Sequence, residues 1–374
     1  MTGILTNSSD ACAASGLFPE RKLVFLLGTG GVGKTTCAAL LAHSLANRGL
    51  RVLLLTVDPA RRLEALMERL ATDQPFLTVE QMDIPAGFRR FVERHSPDEE
   101  TSRQVLESRF FPHLSARLQA LHEYVAGDRI LELSTNPRYD RIVIDTPPFA
   151  YAMHFLDAPQ RLHQMAVIAQ SVFSTTAPGR KAIKLLSPLL VRGLSYFIGK
   201  GFLAELVEFV ASLGRLWGDV AVAAAATRKL YEEDSEFGVV VRADSRSATD
   251  LLAFFDDAPE WLTPGFLVAN QVLEAAPGFE PPGDGVTEIL RAELGMEPAC
   301  RGFTAEQLGS AAASGVNLAR LVETIVRGQQ ETLARIMEHP RSPGPEALIV
   351  VPLVRGGVRT ADQLEGLAAR FGRT

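Results

Sequence analysis

Short apolar runs alternate with longer helical segments along most of the chain. The runs lie at Lys22–Leu27, Arg51–Val57, Arg141–Asp145, Phe237–Val241, Phe266–Ala269 and Leu348–Val351. Their apolar residues are mostly consecutive, which is typical of strands buried on both faces of a parallel sheet, and the segments between the runs are long enough for crossover helices. The pattern therefore predicts an α/β fold with a mostly parallel sheet flanked by helices.

Two segments, about 62–135 and 160–235, have helical periodicity. We interpret them as a helical subdomain inserted into one domain that spans residues 21–374, and we expect residues 1–20 to be a disordered tail. One helical face in the second segment is apolar and contains Phe202, Leu206, Phe209, Val210, Leu213 and Trp217. It predicts either a groove for an apolar helix of another protein or packing against the core or a dimer partner.

A glycine-rich segment joins the first predicted strand to the helix that follows. Residues 28–36, GTGGVGKTT, match the phosphate-loop pattern G-x-x-x-x-G-K-[ST] in its strand-to-helix setting. Lys34 is expected to reach the β and γ phosphates of a nucleoside triphosphate, and Thr35 to bind Mg²⁺. The backbone amides expected to surround the phosphates are those of Gly30, Gly31, Val32 and Gly33.

Two aspartates follow predicted strands. Asp58 comes after the second strand, and Asp145 ends the strand at 141–145 in the manner of a Walker B acid. Ligands of open α/β sheets bind beyond the carboxyl ends of the strands, so both carboxylates should lie beside the loop. We expect Asp145 to hold the water shell of Mg²⁺ and Asp58 to orient the attacking water. The alternative for Asp58 is a helix N-cap, which its Asp-Pro setting would also satisfy.

Composition narrows the classes of partner and site. The net charge is −6 with dispersed basic residues, which argues against a nucleic-acid partner. The three cysteines, Cys12, Cys37 and Cys300, include no C-x-x-C pair, and the seven histidines form no metal-binding motif. Neither a signal peptide nor a membrane span is predicted. We expect a cytoplasmic protein, with peripheral membrane contact through the apolar helices as an alternative.

Several motifs together resemble the ArsA-type ATPases. They are the loop GTGGVGKTT, Thr56-Val57-Asp58-Pro59-Ala60, Asp145-Thr146-Pro147-Pro148, Phe155-Leu156-Asp157-Ala158-Pro159 and Val268-Ala269-Asn270-Gln271. The resemblance extends from about Lys22 to the C-terminus and implies a P-loop NTPase fold of the SIMIBI class, with ATP and Mg²⁺ as cofactors.

Residue roles follow from the resemblance. Thr36 would join the other loop residues in holding phosphates and magnesium, and Asp58 would be the switch I aspartate. Asn270 would bond the adenine, and Pro352 with Leu353 would pack near the base. Residues 146–158 would form switch II, which couples the nucleotide to helix movements.

The chain departs from the family pattern at three places. The second loop position, where the family usually has a lysine that reaches the partner's nucleotide, is Thr29. A threonine supplies no positive charge there, so Arg61 or Arg62 substitutes, a partner donates the lysine, or hydrolysis is slow. The switch II sequence is Phe149-Ala150-Tyr151 in place of Thr-Gly-His, and the cysteines that bind zinc or metalloid in relatives are missing.

The resemblance implies a Mg²⁺-dependent ATP hydrolase that works as a nucleotide-driven dimeric switch. Its partner would be a second copy or a paralogous ArsA-like ATPase, and its client an apolar helix of a membrane protein. Two alternatives remain, the energising subunit of an anion or metalloid exporter and a positioning switch like MinD and ParA. The spacing of the cysteines disfavours the exporter.

Overall fold

Seven strands form one parallel sheet in the computed structural model, which describes residues 21–57, 74–111, 122–173, 200–274, 286–297, 304–354, 358 and 361–372. The strands are β1 Leu23–Gly28, β2 Val52–Thr56, β3 Leu77–Gln81, β4 Arg141–Asp145, β5 Ser235–Arg242, β6 Pro264–Val272 and β7 Leu348–Pro352. Their order across the sheet is β3-β2-β4-β1-β5-β6-β7. The strand that leads into the glycine-rich loop is therefore central, with β4 and β5 as its neighbours.

Ten α-helices belong to the described part of the chain. They are α1 Lys34–Asn47, α2 Ile84–His95, α3 Glu99–Leu106, α4 His122–Ser134, α5 Phe149–Phe173, α6 Lys200–Glu233, α7 Ser245–Asp257, α8 Val286–Met296, α9 Ala305–Met337 and α10 Ala361–Gly372. None of these helices combines the length and apolarity that crossing a membrane requires. The predicted α/β class with a parallel sheet flanked by helices is confirmed.

The sheet has a separate apolar core on each face. Helices α1 and α10 cover one face, where Leu40 and Leu367 pack in the same buried cluster. Helices α4 to α7 contribute to the cluster on the other face, which includes Phe155 and Tyr231 around Phe25 of β1. Burial on both sides explains why β1, β2 and β4 are apolar without alternation.

One strand interrupts a segment that the sequence predicts as helical. Strand β3, with the sequence LTVEQ, lies inside the predicted helical range 62–135. It is an edge strand that pairs only with β2, and just Leu77 of its five residues is buried. An edge strand does not need a continuous apolar run. The sequence pattern of β3 therefore does not distinguish it from an exposed helix. The remaining strand predictions agree with the structure to within two residues at every end but one, since β6 ends at Val272, three residues after the predicted end at Ala269.

A cavity of about 230 Å³ lies among the helices α2, α4, α5 and α6. Its walls are apolar and aromatic and include Phe88, Phe91, Tyr124, Met165, Leu216, Trp217 and Val220. Of the predicted apolar face, Phe209 is buried, and Leu213 and Trp217 are half-buried against the core cluster. Both Leu213 and Trp217 also line the cavity. The side chains of Phe202, Leu206 and Val210 lie outside the described part.

A buried histidine joins three of these helices. The Nε2 atom of His95 on α2 lies 2.8 Å from Asp128 of α4, and its Nδ1 atom lies 2.5 Å from Asp219 of α6. Carboxylates only accept hydrogen bonds when ionised, so the ring donates from both nitrogens as an imidazolium. Burial lowers the pKa of His95, but the bonds and charges of the two aspartates outweigh burial and raise the pKa overall. The pair of bonds ties the cavity helices together.

Candidate phosphate-binding site

The loop between β1 and α1 has a backbone shape that depends on glycine. Gly31 and Gly33 have φ angles of +79° and +89°, in the left-handed region that side chains disfavour. A Cβ atom on Gly28 would lie 2.5 Å from the carbonyl oxygen of Val240 on β5, which is too close for any other residue. The loop thus turns tightly while its first residue stays pressed against the neighbouring strand.

Helix α1 begins without a side-chain cap. Gly33 is the N-cap residue and offers no side-chain hydrogen bond to the first turn, and no acidic residue lies in that turn. The N-terminal amides of a helix have no acceptor within the helix and carry the positive end of its dipole. An anion is the ligand that fits this end best, which agrees with the predicted role of the loop backbone.

The Lys34 side chain folds back onto the backbone of the loop. Its side chain is buried, and its Nζ atom donates hydrogen bonds to the carbonyl oxygens of Gly28 and Thr29, each at 3.0 Å. The ammonium group therefore lies at the concave side of the loop. Thr35 and Thr36 follow in the first turn of α1 and are half-buried.

Asp145 lies beside the loop at the end of β4. It pairs in register with Leu26 of β1 and with Thr56 of β2, and it is 1% exposed. The next residue, Thr146, donates from Oγ1 to the Leu26 carbonyl oxygen at 2.6 Å and so fixes β4 to the start of the loop. The predicted proximity of the Walker B acid and the phosphate loop follows from the strand order.

The Asp145 carboxylate lies close enough to the first turn of α1 to affect the pKa of Cys37. Burial raises the pKa of the Cys37 thiol, and the charge of Asp145 raises that pKa further. The thiol is fully buried and stays protonated, so the residue behaves as the small buried side chain that the sequence suggests.

Thr56 is a polar residue of the site whose own role the sequence did not indicate. It ends β2 beside Asp145, and its hydroxyl is buried without a hydrogen-bond partner in the structure as described. A buried hydroxyl without a partner is costly in a folded protein, and it therefore marks a place where a ligand, ion or water belongs. The donor set at this edge, the Thr35 and Thr56 hydroxyls and the Asp145 carboxylate, consists of the oxygen ligands that Mg²⁺ prefers.

Asn270 reaches the loop from β6, two strands away from β1. Its Nδ2 atom donates to the carbonyl oxygen of Val32 at 2.7 Å, and the residue is 5% exposed. The predicted contact between Asn270 and adenine stays a prediction. Pro352 ends β7 at the same edge of the sheet, in register with Val272.

The predicted Asp58, Arg61 and Arg62 lie outside the described residues. The described range that contains β2 ends at Val57, whose amide donates a hydrogen bond to the Asp145 carbonyl oxygen at 3.2 Å. The chain therefore leaves β2 directly beside Asp145. The role of Asp58 stays a prediction from the sequence.

Comparison with known proteins gives one family. Residues 21–189 match the family model described as anion-transporting ATPase. The ATPase GET3A of Arabidopsis thaliana is 31% identical over 147 residues, and the arsenical pump-driving ATPase of Escherichia coli is also 31% identical over 147 residues. An ATPase ASNA1 homolog of Cryptosporidium parvum is 29% identical over 148 residues. Residues 21–189, slightly less than half of the chain, are therefore similar to the ArsA-type ATPases.

The ArsA-type similarity covers part of each protein. The aligned segment covers 38% of this chain and 40% of the length of GET3A. It covers 39% of this chain and 24% of the Escherichia coli ATPase. For the Cryptosporidium parvum homolog the two shares are 38% and 39%. The family-model match at residues 21–189 contains the loop, β1 to β4 and the described helices from α1 to α5. The predicted resemblance beyond residue 189, which includes Asn270 and Pro352, stays a prediction.

Residues 146–158, which are predicted to be switch II, begin at the end of β4 and enter α5. Phe149, the first residue of α5, stacks on Phe254 of α7 with ring centroids 4.2 Å apart and ring planes at 10°. Tyr151 is 63% exposed on the first turn of α5. The stack links the residues after Asp145 to α7, a helix that covers the sheet.

Proposed function

We propose that the chain hydrolyses ATP with Mg²⁺ at the β1–α1 loop. The observation that carries the proposal is the glycine loop at the uncapped N-terminus of α1. The Lys34 ammonium binds the loop backbone, and the buried Asp145 carboxylate lies beside it. Cationic and N–H groups on one side of the loop and a carboxylate on the other suit a triphosphate with its metal ion. The match of residues 21–189 to the family model described as anion-transporting ATPase supports the same activity.

Each residue has a defined task in the proposed reaction. Lys34 exchanges its bonds with the Gly28 and Thr29 carbonyls for the β and γ phosphate oxygens, and the loop amides hold the phosphates in line. Thr35 would hold a Mg²⁺ ion, which would supply positive charge to the phosphates, and Asp145 would orient the waters around that ion. Asp58 accepts a hydrogen bond from the attacking water and directs it at the γ phosphorus.

Phosphate release from ATP by the purified chain tests the activity. We expect release that requires Mg²⁺ and follows saturation kinetics in ATP. Release that continues unchanged with the metal chelated, or ATP binding without any release at high protein concentration, would count against hydrolysis at this site.

We further propose that the active form is a dimer, either with a second copy or with a paralogous ArsA-like chain. Thr29 lies in the loop where the family usually has a lysine, and its carbonyl oxygen already accepts from Lys34. A cation delivered to the transition-state phosphate raises phosphoryl transfer by about 10³ to 10⁵ in related switches. A homodimer of this chain lacks that cation unless Arg61 or Arg62 supplies it.

The change Thr29→Lys separates these sources of charge. If the partner's lysine is what the homodimer lacks, the variant should hydrolyse ATP about tenfold faster than wild type, and the rate per chain should rise with protein concentration. Thr29→Arg serves as a second variant with the same charge. A rate that is independent of both the substitution and the concentration would rule out the missing lysine, and a loss of rate in Arg61→Ala or Arg62→Ala would assign the charge to this chain.

A role in carrying an apolar client helix is supported by the cavity between α2, α4, α5 and α6. Its volume of about 230 Å³ accommodates several large apolar side chains of a helix but not a whole helix. Met165 of the wall is 44% exposed, and the neighbouring α5 side chains Val167 and Ile168 are 47% and 65% exposed. One relative is named as an arsenical pump-driving ATPase and another as ATPase GET3A, so binding of a client helix is our proposal and a role in an anion exporter is the alternative.

Filling the cavity tests the client proposal. Val220→Phe adds volume to the cavity wall and should weaken binding of a labelled 20-residue apolar helical peptide about tenfold. Val222→Phe is the matched control, since Val222 lies two residues away on α6 and is 69% exposed. Peptide affinity that is equal in both variants and wild type would place the client elsewhere. We expect this binding to occur in the cytoplasm and at the membrane surface.

A further inference from the structure

The phosphate loop is held at both ends by strands other than its own. At its start, Gly28 packs against the Val240 carbonyl of β5. At its end, Asn270 of β6 donates from Nδ2 to the Val32 carbonyl oxygen at 2.7 Å, in a buried position. A buried hydrogen bond whose loss leaves a carbonyl unsatisfied is costly to break. The second contact therefore fixes the loop immediately before α1.

The close approach depends on residue 33 being glycine. A Cβ atom at Gly33 would lie 2.3 Å from the Asn270 Nδ2 atom. Residue 33 therefore requires glycine for two reasons, the lack of space for a Cβ atom and its φ of +89°. The amide of Asn270 occupies the space that any side chain at this position would fill.

The end of β6 is built to present Asn270. The pairing with β7 shifts register between Asn270 and Val272, and Gln271 between them has a φ of +60°. It is the one non-glycine residue with positive φ in the described ranges. Such a conformation is unfavourable for a residue with a side chain and persists where the surroundings enforce it. The irregularity lies next to the bond to Val32.

We propose that Asn270 is a positioning residue that holds the phosphate loop, so that it affects phosphate binding even when no base is present. The inference rests on the proposed nucleotide site and adds a role to the predicted adenine contact. A side-chain amide has two N–H donors and one acceptor oxygen, and Val32 uses one donor. The other two groups suit the N7 and N6 atoms of adenine, so one side chain can connect the base to the loop.

Binding of Mg²⁺-tripolyphosphate, which has no base, tests the inference. Asn270→Leu removes the donor at nearly constant size and adds no charge. We expect it to weaken both tripolyphosphate and ATP about tenfold in calorimetry, the consequence of one lost buried hydrogen bond. Asn136→Leu is the matched control, because Asn136 precedes β4 at the opposite edge of the sheet and contacts Arg138 and Lys22. The control should bind both ligands like wild type.

Thermal unfolding of the ligand-free proteins keeps a folding defect separate from a loop defect. Asn270→Ala, which leaves more room, is the second variant if Asn270→Leu unfolds. A loss for ATP that exceeds the loss for tripolyphosphate measures the base contact and supports both roles. Weakened ATP binding with unchanged tripolyphosphate binding in folded variants would overturn the proposal. Wild-type protein that binds neither ligand would instead overturn the proposed nucleotide site and the inference with it.

Discussion

Lys34→Ala should lose ATP affinity by about 100-fold or more and should release no measurable phosphate. The ammonium is buried at the concave side of the loop, where it bonds the Gly28 and Thr29 carbonyls. Two charge-assisted hydrogen bonds to phosphate contribute about 1.5–3 kcal/mol each, and about 1.4 kcal/mol corresponds to a tenfold change in affinity. Calorimetry with ATP and a phosphate-release assay measure the two effects.

The matched control is Lys22→Ala. Lys22 precedes β1 at the other end of the strand and donates to the Asn136 carbonyl oxygen at 2.7 Å. Its removal takes away the same charge and leaves the loop intact, so ATP affinity should stay within about twofold of wild type. Equal affinity losses in both variants would show a general effect of charge, and full affinity in Lys34→Ala would remove the loop lysine from the site.

Gly33→Ala should disrupt the loop through both a steric clash and backbone strain. The new Cβ atom would lie 2.3 Å from Asn270 Nδ2, and the residue would keep a φ of +89°. The backbone strain alone costs about 1–2 kcal/mol, and relief of the clash requires the loop to move away from β6. We expect ATP affinity to fall by about tenfold or more, with a lower midpoint of thermal unfolding.

Gly49→Ala separates backbone strain from the clash. Gly49 follows the C-terminus of α1 with a φ of +82°, and a Cβ there would meet no atom within 4 Å. This variant should lose stability of about 1 kcal/mol while it binds ATP like wild type. If Gly33→Ala and Gly49→Ala behaved alike in ATP binding, the contact with Asn270 would not matter for the loop.

The sheet and the loop could be predicted because local rules determine them. Continuous apolar runs mark buried parallel strands, and the pattern from Gly28 to Thr36 has one known structural setting. The position of Asp145 beside the loop follows from the rule that functional residues lie at the carboxyl ends of strands. These expectations needed no knowledge of distant contacts.

Other features depend on contacts that the sequence does not encode locally. Strand β3 has only one buried residue, so its pairing with β2 rather than its own pattern makes it a strand. The bond from Asn270 to Val32 joins residues 238 positions apart in the chain. The cavity and the His95 bonds likewise require helices that lie far apart in sequence. Such arrangements arise from tertiary packing, which short-range periodicity does not report.

The most direct measurement compares ATP turnover and ATP binding in wild type and Asp58→Asn. The substitution keeps the size and one acceptor oxygen of the side chain but removes the negative charge of the carboxylate that we propose positions the attacking water. Calorimetry should give an affinity within about threefold of wild type, while Mg²⁺-dependent phosphate release falls about 100-fold or more. The predicted result is that wild type releases phosphate from bound ATP, whereas Asp58→Asn binds ATP without releasing phosphate. Equal phosphate release by the two proteins would contradict the proposed hydrolysis mechanism.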